Sequence, residues 1–377
     1  MTTMGSKPTT SSLDGIDLVS FRHGDVDEIF ATVVPGEDDP FVALCPKVKT
    51  MLQDVNAQVL DLRVFGSLSE YPKCKATLRE HFPDVDWPMV FIDGEGCGKG
   101  AVAGVQLHAV AGPSVETVRL NGRPVGRCFE TDAARFLVLG DLLSHDPSSR
   151  RTTQAGHTIG RMEEALHVAR MDLTHVVRTW FYVNDILDWY TDFNAVRTEI
   201  YSERGLFGQY VPASTGIGGR NPWGLAVVGS ALAIQPKEGG VRVEEIPSPL
   251  QCSAGDYGSS FSRAAEVTTP GVRWVFVSGT ASIDAEGNTI HQGDIGSQVG
   301  QTLDVVRAIL ESRGMGFSDV TRANAYFKNP GDAVVLPPFL ADHGLPMSRV
   351  VVSHHDICRD DLLFEMEVDA VGLGSIP

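Results

Sequence analysis

No stretch of the 377 residues approaches the roughly 18 uninterrupted apolar residues that a membrane span needs, so a membrane-spanning role is not expected. The opening "MTTMGSKPTTSS" lacks the apolar core of a signal peptide, and residues 1–14 are expected to form a disordered leader. Basic residues are scarce, 31 against 48 acidic ones, for a formal net charge of −17. Binding phosphate backbones needs basic surface, so nucleic acid is not an expected partner. An anionic ligand must instead be held by local arginines against an unfavourable global field. Cysteine is sparse as well. Cys45, Cys74, Cys97, Cys128, Cys252 and Cys358 are scattered with no CxxC pair, which argues against structural zinc and against a disulfide framework. A reducing cytoplasm is the expected compartment.

What the chain does have is an internal repeat. In the last third, "GVRWVFVSGTASID" (271–284) reads as a strand. It leads to an amphipathic helix in which Ile295, Val299, Thr302, Val306 and Ile309 recur at helical spacing. A strand "VTRANAYFKN", a short helix "AVVLPPFLADHG", and the strands "SRVVVSHHDI" and "LLFEMEVDAV" follow. The middle third keeps that order, from "ARFLVLGDLLS" through "TIGRMEEALHVARMDLTHV", "VVRTWFYVND" and "WYTDFNAVRTEIYSERG" to "VPASTGIGG" and "GLAVVGSALAI". The first third is a degenerate copy, with "FVALCPKVKTMLQDV", "QVLDLRVFGS", "YPKCKATLREHF", "WPMVFID" and "GAVAGVQLHAV". The expected fold is α+β, three tandem units of a mixed sheet with helices on one face. The units are placed at 15–115, 125–238 and 250–377, separated by linkers rich in Gly, Pro and polar residues near 111–126 and 235–251. Three such units would close into a pseudo-threefold ring with ligand sites in the clefts between them. Since the copies have diverged, the clefts need not be equivalent.

The order of elements, "WVFVSGTASID", the Arg349-to-Glu365 spacing and the closing "LFEMEVDAV" resemble the RidA/YjgF family, which are homotrimers with ligand sites between subunits. Three fused copies with "VPASTGIGG" in the middle one resemble the chorismatases of secondary-metabolite pathways. The resemblance covers almost the whole chain and is weakest in the first third. It implies a monomer with pseudo-threefold symmetry that removes the enolpyruvyl side chain of chorismate in the cleft between the middle and last units. It also implies that Glu365 is the acid. Cys358, seven residues before it, matches the subgroup that releases pyruvate and 3-hydroxybenzoate rather than a dihydroxycyclohexadiene carboxylate. Other readings are an imine or enamine deaminase and a non-catalytic binder of small carboxylates.

Protonating an enol ether demands a carboxylic acid that stays protonated near neutral pH, hence one that is buried or beside a like charge. Glu365 in a covered cleft meets that demand. Glu365, Glu367 and Asp369 alternate with Phe364, Met366 and Val368, which is also how a half-exposed strand looks. Glu367 is the weaker candidate. Substrate carboxylates call for arginine, and Arg349 and Arg161 are the candidates, with ordinary surface salt bridges as the alternative. In "YVPASTGIGG" (210–219), Tyr210, Ser214 and Thr215 offer hydroxyls, and Gly216 with its neighbours lets backbone N–H groups approach a ligand as anion-binding nests do. Cys358 has no flanking base to make it a thiolate and is expected to shape the ring pocket. His354 and His355 in "SHHDICRDD" point to opposite faces of a strand, so no metal is expected. "GEGCGKGA" (94–101) lacks the spacing of a phosphate loop, and no organic cofactor is expected. The aromatic run "WFYVNDILDWY" (180–190) reads as core.

Overall fold

Each third of the chain begins with three consecutive antiparallel strands. The computed structural model describes residues 7–13, 15–36, 41–98, 100–238 and 240–374. In the first unit, β1 (Thr9–Leu13), β2 (Ile16–His23) and β3 (Val26–Val33) precede α1 (Phe41–Asp54), β4 (Gln58–Gly66), α2 (Tyr71–His81), β5 (Met89–Asp93) and β6 (Val102–Ala111). The middle unit runs β7 (Val115–Leu120), β8 (Arg123–Glu130), β9 (Ala134–Leu143), α3 (Arg151–Val168), β10 (Val176–Val183), α4 (Ile186–Glu203), β11 (Ala213–Gly218) and β12 (Val227–Pro236). The last comprises β13 (Arg242–Ile246), β14 (Ala264–Thr269), β15 (Gly271–Ala281), α5 (Ile295–Glu311), β16 (Val320–Phe327), α6 (Leu336–His343), β17 (Val350–His354) and β18 (Phe364–Gly374).

The three sheets have one topology. Their orders are β1-β2-β3-β6-β4-β5, β7-β8-β9-β12-β10-β11 and β13-β14-β15-β18-β16-β17, and in each only the last-named pair is parallel. The α+β class and the three tandem units expected from the sequence are those observed. The leading strands correct the linker reading. The segment 111–126 holds β7 and the start of β8, joined at Asn121–Gly122, both with positive φ. That is hairpin-turn chemistry rather than linker chemistry. β13 likewise lies within the segment read as the second linker and pairs with β14. Thr9–Leu13, read as leader, pair with β2; residues 1–6 and Asp14 of that leader lie outside the described residues.

Each sheet buries one face under its own helices. In α5, Val299, Leu303, Val306 and Ile309 are inaccessible, and Asp294 caps the helix by accepting from the Ser297 N–H at 3.1 Å. The opposite faces of all three sheets meet in a fourth, shared core that includes Phe21 and Phe30, Phe129, Phe136 and Trp180, and Trp274 and Phe276. Each large apolar side chain so buried contributes on the order of 1.5–3 kcal/mol. Hydrogen bonds between units close the ring. The Asp93 N–H donates to the Arg220 carbonyl at 2.9 Å, the Ser262 N–H to the Pro212 carbonyl at 3.2 Å, and Gln106 Nε2 to the Ala323 carbonyl at 3.0 Å. No helix among the described residues is long and apolar enough to cross a membrane.

Last and first units are also joined by Arg349, whose Nε donates to Asp17 Oδ1 at 2.8 Å with both side chains buried. Removing one partner of a buried ion pair leaves the other uncompensated, at a cost of about 3–5 kcal/mol. Arg349→Ala is therefore expected to lower the unfolding free energy by about that amount, read as a lower midpoint in a urea titration at unchanged slope.

Candidate active site

β18 carries three acids on one side, and the sequence leaves open whether that side meets water. It does not: Glu365, Glu367 and Asp369 are 4%, 4% and 6% exposed, because ring closure lays the middle unit over this strand. Asp369 accepts from Arg322 Nε at 2.6 Å. Glu367 is the most heavily bonded. It accepts from Arg178 Nη2 at 2.6 Å, Asn324 Nδ2 at 2.6 Å, the Tyr326 hydroxyl at 3.0 Å and the Thr215 hydroxyl. Burial pushes its pKa up, but Arg178 and these hydrogen bonds outweigh burial and hold Glu367 below the ordinary range, so it is an anion.

Glu365 sits two residues away, over Gly279. A Cβ at position 279 would come within 2.1 Å of Glu365 Oε1, so only glycine leaves room for the carboxyl. Burial and then the negative charge of Glu367 push Glu365 up to about 8, against smaller opposing effects of Arg178 and Arg263. Two carboxyls two residues apart are thus driven to opposite protonation states.

Glu365 faces a cleft of about 320 Å³ between the middle and last units. Cys358, Ser214 and Gly216 line it too. Cys358 is half-buried, and burial, then Glu365, push its thiol up to about 12; it is a neutral group that fills space. The Ser214 oxygen accepts from Thr179 at 2.8 Å and from Arg197 Nη1 at 3.2 Å, which occupies both lone pairs and leaves its own O–H as a donor.

The remaining expected residues fall elsewhere. Thr215 lies beneath the cleft, donating to Glu367 and accepting from Arg178 Nη2 at 2.7 Å and the Gly279 N–H at 3.0 Å. Tyr210 donates to the Val176 carbonyl and does not line the cleft. Arg349 is held by Asp17 at the junction of the last and first units, and Arg161 is paired with Glu164 on α3; neither reaches Glu365. The "STGIG" segment is strand β11, not a glycine-rich loop, and its glycines have no positive φ. They are needed for close packing instead, Gly216 against Tyr190 and Gly218 against Asp356. His354 is exposed and His355 buried, as their alternation implies. His355 Nδ1 lies 2.6 Å from the Gly218 carbonyl, and burial pulls its pKa down to about 4, so the ring is neutral.

Several residues that the sequence reading passes over also line this cleft. Phe261 and Arg263 lead into β14, a strand whose periodicity is too short to read. Arg359 sits in the β17–β18 connection, and Tyr190, read as core, turns one edge to the cleft. Arg263 donates to the Cys252 carbonyl at 2.9 Å and Arg359 to the Gly287 carbonyl at 2.8 Å, which fixes both guanidinium groups at the cleft wall. A buried neutral acid, a hydroxyl donor and two arginines suit an anionic substrate that accepts a proton.

The last unit, over residues 259–371, matches the family model described as Endoribonuclease L-PSP. A RutC family protein of Pyrococcus abyssi is 30% identical over 132 residues, 34% of this chain and 94% of the relative. The chain belongs to the RutC family. Two longer relatives from Streptomyces hygroscopicus are similar to more of it. One named 3-hydroxybenzoate synthase is 25% identical over 340 residues, 83% of this chain and 92% of the relative. One named chorismatase is 28% identical over 215 residues, 51% of this chain but only 60% of the relative, so the chain matches less than two thirds of that relative's length. A crystal structure of a chorismatase superposes with a TM-score of 0.63 at 21% identity, covering 90% of this chain and 98% of that one, so the triple arrangement of RutC-type units is shared with a known fold.

The coupling within this RutC-family cleft is testable. Glu367→Gln removes the charge that helps keep Glu365 protonated, and leaves Arg178 buried without its anion. The Glu365 pKa is expected to fall from about 8, and the protein to lose about 3–5 kcal/mol of stability. A carbon-13 titration of the glutamate carboxyls and a urea denaturation read the two effects.

Proposed function

We propose that this chain converts chorismate to pyruvate and 3-hydroxybenzoate, with Glu365 as general acid. The observation that carries the reading is a carboxyl in an inter-unit cleft with its pKa pushed up to about 8, hence protonated at neutral pH. Similarity to relatives named chorismatase and 3-hydroxybenzoate synthase supports the substrate.

Glu365 gives its proton to the terminal methylene carbon of the enolpyruvyl group, and positive charge develops on the ether-bearing carbon and oxygen. The Glu365 carboxylate so formed, 4% exposed, faces that charge in a site with little water to screen it. The bond between ring C3 and the ether oxygen breaks and the side chain leaves as pyruvate with that oxygen, while the C4 hydroxyl oxygen bonds to C3 and its proton returns to Glu365. The C4–O bond then opens, a hydrogen shifts from C3 to C4, and loss of a C4 proton aromatises the ring as 3-hydroxybenzoate. The two products together carry all the atoms of chorismate and no water is consumed, whereas the dihydroxycyclohexadiene product needs one added water. Excluding water from the ring therefore selects the product, and Cys358, Phe261 and Ile283 supply that exclusion at the cleft wall. Arg263 and Arg359, rather than Arg349 and Arg161, hold the substrate carboxylates in this reading, and Ser214 donates a hydrogen bond. The chain acts on this small molecule without nucleic acid as a partner, as a single pseudo-threefold ring.

Incubation with chorismate, with products resolved by liquid chromatography and mass spectrometry, should yield pyruvate and 3-hydroxybenzoate; unchanged chorismate contradicts the proposal. Glu365→Gln is expected to lower kcat about 10²–10⁴-fold with substrate binding retained. Because the protonated form is active and its pKa is raised, kcat/KM should be level below the raised value and fall as pH rises through about 8. Cys358→Ala opens space for water, and is expected to divert part of the product to the non-aromatic diol.

A further inference from the structure

The pseudo-threefold symmetry allows position-by-position comparison of the clefts. Opposite Tyr326 on β16 lies Glu365; opposite Tyr182 on β10 lies Val228. The catalytic carboxyl is therefore missing from the equivalent place on β12. The strands that face these positions carry matching bulges. In β15 the register shifts between Val277 and Thr280, and in β9 between Leu139 and Leu142. The residue that corresponds to Gly279 is Asp141. Where the last unit has a glycine making room for a glutamate from β18, the middle unit has a carboxyl on β9 itself and a valine, Val228, at the position equivalent to the glutamate.

Asp141 is 9% exposed and holds a φ of 54°, a left-handed conformation uncommon for non-glycine residues and favoured among them by Asp and Asn. Oδ2 is paired with Arg123, while Oδ1 has no hydrogen-bond partner among the described residues. Asp141 lines a cleft of about 350 Å³ walled by Leu120, Val125, Leu143 and Trp223. Trp223 packs edge-on to Tyr71 of the first unit, and the Arg123 guanidinium lies 5.7 Å from its ring centre. Arg161, which does not reach Glu365, borders this cleft instead.

We propose that this cleft is a second ligand site, which binds a small ring bearing a hydroxyl and a carboxylate. The hydroxyl donates to the Asp141 carboxyl, the ring lies against Trp223 and the leucines, and the carboxylate meets Arg123 and Arg161. Charge supports the assignment. Burial pushes Asp141 up to about 7, against the opposing pull of Arg123, so near neutrality Arg123 is only partly neutralised and an incoming anion completes its pairing. The site has no counterpart of Glu365, so it binds its ligand without turning it over.

The test uses the full-length protein labelled with 5-fluorotryptophan, with the Trp223 resonance assigned from Trp223→Phe and 3-hydroxybenzoate as the probe. Trp189 lines the Glu365 cleft and reports that site separately. The Trp223 signal is expected to shift saturably in the wild-type protein. Asp141→Gly, which places at 141 the residue found at 279 and relieves the left-handed backbone, is expected to weaken that response tenfold or more, leaving the Trp189 response and turnover of chorismate unchanged. Asp141→Asn keeps the acceptor oxygen and the backbone conformation, and should retain binding. A wild-type Trp223 signal that does not move overturns the proposal whatever the variants do, as does an unchanged response in Asp141→Gly. Absence of turnover with a normal Trp223 response sinks the proposed reaction and leaves this site standing.

Discussion

Glu367 is the anion on which the rest of this site depends. Its four donors come from two units, Arg178 and Thr215 from the middle and Asn324 and Tyr326 from the last, so a single carboxylate fastens the interface that also forms the cleft. Its charge is then available as a fixed perturbation. A second carboxyl two residues along the same strand, with burial already working against ionisation, is held mostly neutral at pH 7. The stability of the interface and the protonation of Glu365 are thus both set by one group.

The triple repeat supplies three equivalent strand positions from one folding pattern, and divergence has made them chemically different. The position occupied by Glu365 is Val228 in the middle unit and Gly104 in the first, opposite Phe65. The position occupied by Glu367 is Ser230 in the middle unit and Gln106 in the first. Gln106 keeps the interfacial role without the charge, donating to the Ala323 carbonyl and accepting from Asn324. The scaffold tolerates these changes because each unit has its own helix-covered core, so a residue in a cleft can vary without disturbing the packing beneath it.

Helices and long strands were legible because their periodicity is local. The buried face of α5 and the acid-bearing strand can both be read from spacing alone. What local patterns cannot show is which face of a strand another unit will cover. The Glu365 side of β18 alternates as an exposed strand does, and is buried only because the ring closes. Arg349 was misplaced for the same reason, since its partner Asp17 lies 332 residues away in a different unit. The hairpin at Asn121–Gly122 carried a recognisable turn signal that the glycine- and proline-rich surroundings masked. Arg263 and Arg359 had no signal beyond residue type, because short strands and connections give a side chain no readable direction.

The central claim is that Glu365 is a protonated carboxylic acid at neutral pH because it is buried beside a fixed anion. Infrared difference spectroscopy between the wild-type protein and Glu365→Gln tests this without substrate. At pH 7 the difference spectrum is predicted to contain the C=O stretch of a neutral carboxylic acid assigned to Glu365, disappearing as pH is raised through about 8. A carboxylate signature at pH 7, with the acid band emerging only near the ordinary range for glutamate, would contradict the account.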